Sequence, residues 1–569
     1  MSLAGKLIAF VGKRAARRFE AACREPGRVQ QELLLDIVRR NAGTEYGKRY
    51  GFEKISSIAD YQRSVPVITY EDIKEDMMRV VSGTGNVFTA EDPVMFAQTS
   101  GTTGDPKYVP VTPTDQGTAH KDQMRTWLYH AQKDHPGILD RKIVTLVSPA
   151  VEGHTPGGLP FGSTSGHIYK NMPGIVRRAY SIPYRVFEIE DYQAKYYTIM
   201  RISLEHDVRF LATANPSSIL KLCDKADANA EQLIRDIRDG SLSKTLEIEP
   251  DIRAGLERKL RPNPTRALAL QQARQRRDGR LLPGDYWPQL GLIGCWKGGT
   301  VGHYLNQIDA WFNPDGTRPV PVRDWGYLSS EARGSIPLSD EGSMGVLTIA
   351  ANFFEFVEVD ALEAQRDDPQ SWPFRTAAEL ETGKEYYIFI TTTSGLYRYD
   401  INDVIKVVDY YHGTPQIIFL RKGRGMTNIT GEKVSVNQVI TAIQEAAKAT
   451  GAVPEHFKAE ADTDNNRYIL RVEFASRVDE AVLRDFLRAA DDAFKHINIE
   501  YKAKRDSTRL GPPVLHVMRE GWYERGRRQL AESGKRVFQA KTELLSPVKL
   551  ETRVVKPELT SIIELENDK

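Results

Sequence analysis

The sequence predicts a mixed α/β protein of enzyme size, with a large domain over residues 1–420, a joint at 421–425 and a smaller α+β domain over 426–569. Three observations lead there. The chain has 569 residues, more than one core organises at roughly 150 residues per domain. Helical periodicity dominates the first eighty residues and the stretch 195–280, whereas strand-like runs take over from 386. The composition then changes abruptly at Arg421-Lys422-Gly423-Arg424-Gly425, a basic, glycine-punctuated joint, beyond which a new set of helices and strands begins.

The N-terminal run Leu7-Ile8-Ala9-Phe10-Val11, followed by Lys13, Arg14, Arg17 and Arg18, is too short for a signal h-region and carries its charge on the wrong side, so it reads as an amphipathic helix, with an Arg-rich targeting segment as the alternative. Arg266 to Arg277 interleaves charges with Leu268, Leu270 and alanines and reads as a solvated helix face. Tyr386-Tyr387-Ile388-Phe389-Ile390, Val404 to Tyr411 and Ile417 to Leu420 are β-branched and aromatic, as strands require. In the small domain, Ser435 with Gln438 three residues on forms a capping box. Val439, Ile440, Ile443 and Ala446 follow at helical spacing, and Gly451 marks the stop. A strand at 468–474 follows the Asp464-Asn465-Asn466 turn, and Val482, Leu483, Phe486, Leu487, Ala490 and Phe494 line one face of a further helix.

Composition excludes several functional classes. With 40% hydrophobic and 27% charged residues the chain is ordinary globular protein. Lys plus Arg total 78 against 76 for Asp plus Glu, a net charge of +2, so nothing draws it globally to nucleic acid or to a membrane. No apolar run approaches the ~18 residues that span a bilayer. Three widely spaced cysteines, Cys23, Cys223 and Cys295, make neither a disulfide framework nor a zinc module. The expectation is a cytoplasmic monomer acting on small molecules.

The segment richest in chemistry is Thr99-Ser100-Gly101-Thr102-Thr103-Gly104-Asp105-Pro106-Lys107. Its glycines let the backbone approach closely, its hydroxyls donate to phosphate oxygens and Lys107 adds a point charge. That is a phosphate cradle, though not a Walker A loop, which would need Gly where Pro106 stands. Other chemistries fail. Gly162 to Gly166 has Thr164 at the centre of a G-x-S-x-G frame, and neither H-E-x-x-H nor G-x-G-x-x-G occurs in the required context. His154, His167 and His303 have no partner at ligand spacing and read as structural.

Thr99 to Lys107 resembles the phosphate-binding motif of the adenylate-forming acyl and aryl ligases, S/T-S-G-T-T-G-x-P-K. Asn41 to Gly47, Val65 to Ile73 and Phe353-Phe354-Glu355-Phe356, in that order, narrow the resemblance to the GH3 family of acyl acid amido synthetases, a plant family with bacterial members. A second family motif, (Y/V)-(A/G)-S-S-E, is similar to Tyr327-Leu328-Ser329-Ser330-Glu331, with Leu328 replacing a small residue. A third, close to Y-R-Y-R-L-G-D-V, is similar to Tyr397-Arg398-Tyr399-Asp400-Ile401-Asn402-Asp403-Val404, with Asp400 and Asn402 replacing a basic residue and glycine. Phe538-Gln539-Ala540-Lys541 resembles the Q-(F/Y)-K element, followed by Thr542 instead of an early proline.

The resemblance implies an α/β fold of the adenylate-forming ligase type, with a large nucleotide- and acyl-binding domain and a mobile C-terminal lid. Nucleotide binding would fall to Thr99, Ser100, Gly101, Thr102, Thr103, Gly104, Lys107, Gly298, Gly299, Tyr327, Ser329, Ser330, Asp403 and Arg421. Tyr327 would pack near adenine, and Asp403, in a tight turn between two strands, would orient the ribose. Glu331 would hold Mg²⁺ against the phosphates, and Lys541, or Lys535 in a shifted register, would stabilise charge during adenylation. The implied activity consumes ATP, activates a carboxylic acid as its adenylate and transfers the acyl group to an amine, an amino acid being the expected acceptor. An acyl-CoA ligase of the same superfamily and a catalytically inactive nucleotide-binding module remain the alternatives.

Overall fold

The computed structural model describes residues 3–99, 107–298, 304–365, 368–423, 425–523, 525, 544–547, 549–550 and 555–565. Its contacts divide the chain into two compact units, Met1–Gln98 with Tyr108–Arg421, and Thr99–Lys107 with Lys422–Lys569.

The large unit is built on three sheets. One is parallel, in the order Lys142–Thr145, Val208–Ala212, Leu292–Gly294, Val322–Arg323. Parallel strands need covered faces, and helices such as Tyr192–Ser203 and Pro216–Ala228 supply Ile199, Met200 and Ile219 to a core shared with Leu211 and Ile293. The second sheet has seven strands, ordered Arg375–Thr376, Phe353–Glu358, Glu385–Thr391, Tyr399–Tyr411, Thr414–Lys422, Gly345–Leu347, Ser335–Ile336. Tyr386 to Thr391 are buried without interruption, which explains why the sequence there is a continuous apolar run and not an alternation. The third sheet orders Lys107–Val111, Met95–Thr99, Pro160–Gly162 and Gly153–His154.

The N-terminal helix, Leu3–Cys23, buries Ala15, Ala16, Phe19 and Cys23 and leaves Phe10 exposed. The 266–277 stretch departs from expectation. Helix Pro264–Gln275 buries Ala267, Leu270 and Ala273, but its arginines are not simply solvated. Arg266 donates to the Leu204 and Tyr286 carbonyls at 2.6 and 2.7 Å, and Arg277 pairs with Asp285 and Asp315. These guanidiniums fasten the helix to its neighbours.

The small unit carries a mixed five-stranded sheet, ordered Leu545–Ser546, Pro454–Asp462, Arg467–Phe474, Val514–Met518, Leu559–Glu564. Helix Val436–Thr450 starts at the expected capping box, with Gln438 N–H on Ser435 Oγ at 3.3 Å and Ser435 N–H on Gln438 Oε1 at 3.1 Å. It stops at Gly451, whose φ of +73° places it in the left-handed region. Helix Glu480–Ile497 is fixed to helix Ile499–Asp506 through buried Asp491, which accepts from Tyr501 Oη and Arg505 Nη2, both at 2.8 Å. Strand Thr414–Lys422 takes in the first two residues of the basic stretch 421–425. All three cysteines are free and buried, and burial pushes the Cys23 thiol up to about 12 and those of Cys223 and Cys295 up as well. Among the described residues no helix is long and apolar enough to cross a membrane.

Candidate active site

Open parallel sheets bind ligands outside the carboxyl ends of their strands. Here two of those ends carry the segments Cys295–Gly298 and Asp324–Gly326. The peptide N–H of Trp296 donates to Ala214 at 2.9 Å and that of Cys295 to Arg323 at 3.2 Å, so the loops extend the sheet's own pairing. Glycine at 298 lets Ser343 pack close, since a Cβ there would lie 2.6 Å from Ser343 Oγ and the serine would have to shift. Asp324, buried, accepts from Lys297 N–H and Gly326 N–H at 2.5 Å and from Gly298 N–H at 3.3 Å. Burial raises its carboxyl to about 6, against the pull of those N–H groups. Trp325 follows, stacked on Trp127 with ring centroids 4.3 Å apart.

Tyr327 to Arg333 forms a tight reversal. Leu328 bridges Arg333, Ser329 N–H donates to Ala332 at 2.9 Å and Ala332 N–H returns to Ser329 Oγ at 3.1 Å. Gly334 gives the Tyr327 ring its place, since a Cβ would stand 2.3 Å from Tyr327 Cδ1. Within this reversal Glu331 is buried and Ser329 and Ser330 are half-buried. The Tyr327 ring lies parallel to Phe419 at 6.0 Å, and its hydroxyl donates to Asp403 Oδ2 at 2.6 Å.

Asp403 stands beside a β-bulge inside the strand Tyr399–Tyr411, not in a turn between two strands. Phe389 faces Asp400 and the neighbouring Ile388 faces Asp403, so Ile401 and Asn402 are extra. Asn402 takes φ +56°, and its N–H donates to Asp400 Oδ1 at 2.7 Å. A residue that departs from the motif at 400 therefore caps the bulge opened at 402. Arg398, also at positive φ, is held by Glu355 at 3.0 Å and by the Gln62 and Val65 carbonyls at 2.9 Å. Burial, then the nearby negative charges, push the Tyr327 and Tyr399 hydroxyls well up; Glu331 and Asp403 act on both. Residues from three separated segments thus meet as one acidic, aromatic cluster.

Residues 15–316 match the GH3 family N-terminal domain, 345–422 the GH3 family central domain and 437–549 the GH3 family C-terminal domain. The chain belongs to the GH3 family. Indole-3-acetic acid-amido synthetase GH3.3 of Arabidopsis thaliana is 24% identical to this GH3 protein over 540 residues, spanning 90% of this chain and 88% of its own. Jasmonoyl-L-amino acid synthetase JAR4 of Nicotiana attenuata is 23% identical over 553 residues, spanning 94% and 93%. The solved structure titled AtGH3.15 acyl acid amido synthetase in complex with 2,4-DB superposes with a TM-score of 0.66 over 97% of each chain at 20% identity, a likeness of fold.

Of the residues that the GH3 resemblance singles out, the structure brings Tyr327, Glu331 and Asp403 together. Thr99 ends the strand Met95–Thr99 and Lys107 opens Lys107–Val111. Gly298 closes the segment after Leu292–Gly294, and Arg421 lies half-buried near the end of Thr414–Lys422. Ser100, Gly101, Thr102, Thr103, Gly104, Gly299, Lys535 and Lys541 lie outside the described residues. The G-x-S-x-G lookalike is a helix cap, Ser163 Oγ accepting from Gly166 N–H at 3.2 Å. Among the described residues no group of three or more His, Cys, Asp or Glu could cage a metal. Sequence reading missed Asp324 and the anchoring role of Arg398, since nothing in their local sequence announces the backbone groups they bind.

Proposed function

We propose that this GH3 protein is an ATP-dependent acyl acid amido synthetase that activates a carboxylic acid as its acyl adenylate and passes the acyl group to an amino acid. The observation that best supports a nucleotide here is the meeting of Tyr327, Glu331 and Asp403 beside the carboxyl ends of the parallel strands. A carboxylate is a poor electrophile. Its oxygen attacks the α-phosphorus of ATP, the bond to the β-phosphate bridging oxygen breaks and pyrophosphate leaves. The amine nitrogen then attacks the acyl carbon, AMP departs with the bonding pair, and the amine proton passes to solvent.

Each residue contributes by position and charge. Tyr327 offers a flat ring to the adenine and fixes Asp403 through its hydroxyl, and Asp403 orients the ribose. Thr99 to Gly104 and Lys107 cradle phosphate oxygens, Gly298 and Gly299 admit the nucleotide's close approach, and Ser329, Ser330 and Arg421 add polar contacts. Lys541, arriving from the small domain, stabilises the charge that develops during adenylation. Mg²⁺ commonly binds through one or two carboxylates plus substrate phosphates, and the buried Glu331, with no cage of three or more His, Cys, Asp or Glu among the described residues, fits a cation carried in on ATP. It would neutralise phosphate charge there. The domains divide at 1–420, 421–425 and 426–569, the middle stretch serving as hinge, and the protein works as a cytosolic monomer.

The test supplies a panel of carboxylic acids with ATP, Mg²⁺ and amino acids, and follows pyrophosphate release and product mass. The expected product is an acyl amide. An acyl-CoA thioester with amines inert across the panel would favour the acyl-CoA ligase. Absence of pyrophosphate release with every acid would leave a binding module.

A further inference from the structure

Asp324 belongs to none of the recognisable motifs, yet it touches the backbone of two segments that flank the proposed nucleotide site. We propose that Asp324 is a positioning residue that clamps the Lys297–Gly298 backbone to the Gly326–Tyr327 backbone, so that both segments meet the nucleotide as one rigid surface. The inference rests on the nucleotide reading given above.

The geometry is specific. One oxygen, Oδ2, accepts from Lys297 N–H and Gly298 N–H, and the other, Oδ1, turns back to Gly326 N–H. Gly326 has φ +83°, and a Cβ there would lie 2.4 Å from the Ser335 carbonyl oxygen. The chain therefore leaves the clamp along a single path into Tyr327, whose own N–H is taken by Ser335 Oγ at 2.9 Å. The Asp324 carbonyl is held independently by Trp127 Nε1 at 2.8 Å, so the residue is fixed at both main chain and side chain.

Stability alone does not explain a carboxylate in this place. Three N–H donors should hold a solvated carboxyl far below its usual range, yet burial leaves Asp324 raised to about 6. The charged groups around it do not cancel the cost. The Lys297 ammonium is engaged by the Val322 and Asp340 carbonyls, the buried Arg333 guanidinium donates to the Trp325 carbonyl at 3.1 Å, and the neighbouring Cys295 is a buried thiol. The ionised form is retained at a cost to the fold, and what it secures is the mutual placement of two loops at the ends of adjacent strands. A protonated carboxyl presents an O–H where an N–H acceptor is needed, and the clamp opens.

The experiment compares the full chain with D324N, which keeps the size of the side chain and removes the charge. Equilibrium binding of ATP with Mg²⁺ is measured between pH 5 and 8, alongside thermal unfolding. Wild type should bind ATP above pH 6 and weaken as the pH falls through about 6. D324N should bind at least tenfold more weakly at pH 8, with an unchanged unfolding midpoint, and should lack the part of the acid limb that the nucleotide's own titration does not supply. D324S serves as the second variant should the asparagine lower the midpoint. Equal ATP affinity in a folded variant and the wild type, or an unaltered acid limb, would overturn the clamp. A wild type that binds no ATP would overturn the nucleotide reading and the clamp with it, so the two failures are told apart by the wild type alone.

Discussion

A single hydroxyl links Tyr327 and Asp403, the two motif residues proposed to orient the nucleotide. Tyr327 Oη on Asp403 Oδ2 is a short bond between buried partners, one of them a carboxylate. Bonds to charged groups contribute about 1.5–3 kcal/mol, and stranding the acceptor adds its desolvation. Y327F should therefore lower the unfolding free energy by about 1.5–3 kcal/mol in denaturant titration and raise the KM for ATP several-fold, because the ring remains while the aim of Asp403 is lost. Unchanged stability and KM together would show that Asp403 is held by other groups. The contact also shows where sequence reading ends at this scale. The pattern places an aromatic residue and an acid 76 residues apart, and only the antiparallel sheet brings them within reach.

Among the elements, the β-bulge in Tyr399–Tyr411 shapes the backbone that carries Asp403. Two extra residues bow the strand without changing its alternation, and Asn402 absorbs the bend at positive φ. An asparagine tolerates that region, glycine occupies it freely, and a β-branched side chain pays ~1–2 kcal/mol or more. N402G should retain stability and kcat/KM for ATP, whereas N402V should lose about 2 kcal/mol and much of its adenylation rate. Equal behaviour of the two variants in chemical denaturation and pyrophosphate release would mean that the bulge does not aim the acid. The helix Val436–Thr450 was legible in full, because Ser435, Gln438 and Gly451 act on backbone groups within one turn of themselves. The bulge was not, because its extra residues are defined only against Ile388 and Phe389 on the neighbouring strand. Arg266 misled for the same reason: its partners, the Leu204 and Tyr286 carbonyls, are remote in sequence.

At the scale of the whole molecule, the chain divides into two compact units, and the role proposed for Lys541 separates the two half-reactions. If Lys541 arrives on the small domain for adenylation only, K541A should nearly abolish acyl-adenylate formation from acid and ATP. It should spare much of amide formation when preformed acyl adenylate is supplied. Rapid-quench assays of the separate steps would check this. Equal loss in both would make the lysine static, and loss in neither would move the role to Lys535. The mixed α/β class followed from chain length, helix- and strand-like periodicity and the composition change at 421–425, all legible along the chain itself, whereas the ligase-type architecture came from the family resemblance. Asp324 followed from neither, since its partners on 297 and 298 join it only when adjacent strands end side by side.

The burial of Cys23, Cys223 and Cys295 has a practical side. Alkylation proceeds through the thiolate, and thiols this deep and this weakly acidic offer almost none to a reagent in water. A cysteine introduced at Leu268 in the large unit and another at Val453 in the small one, where the native side chains are 56% and 61% exposed, can thus take up fluorophores while the native thiols stay silent. Energy transfer between the dyes then reports in real time whether the distance between the two labels changes as acid, nucleotide and amine are added in turn.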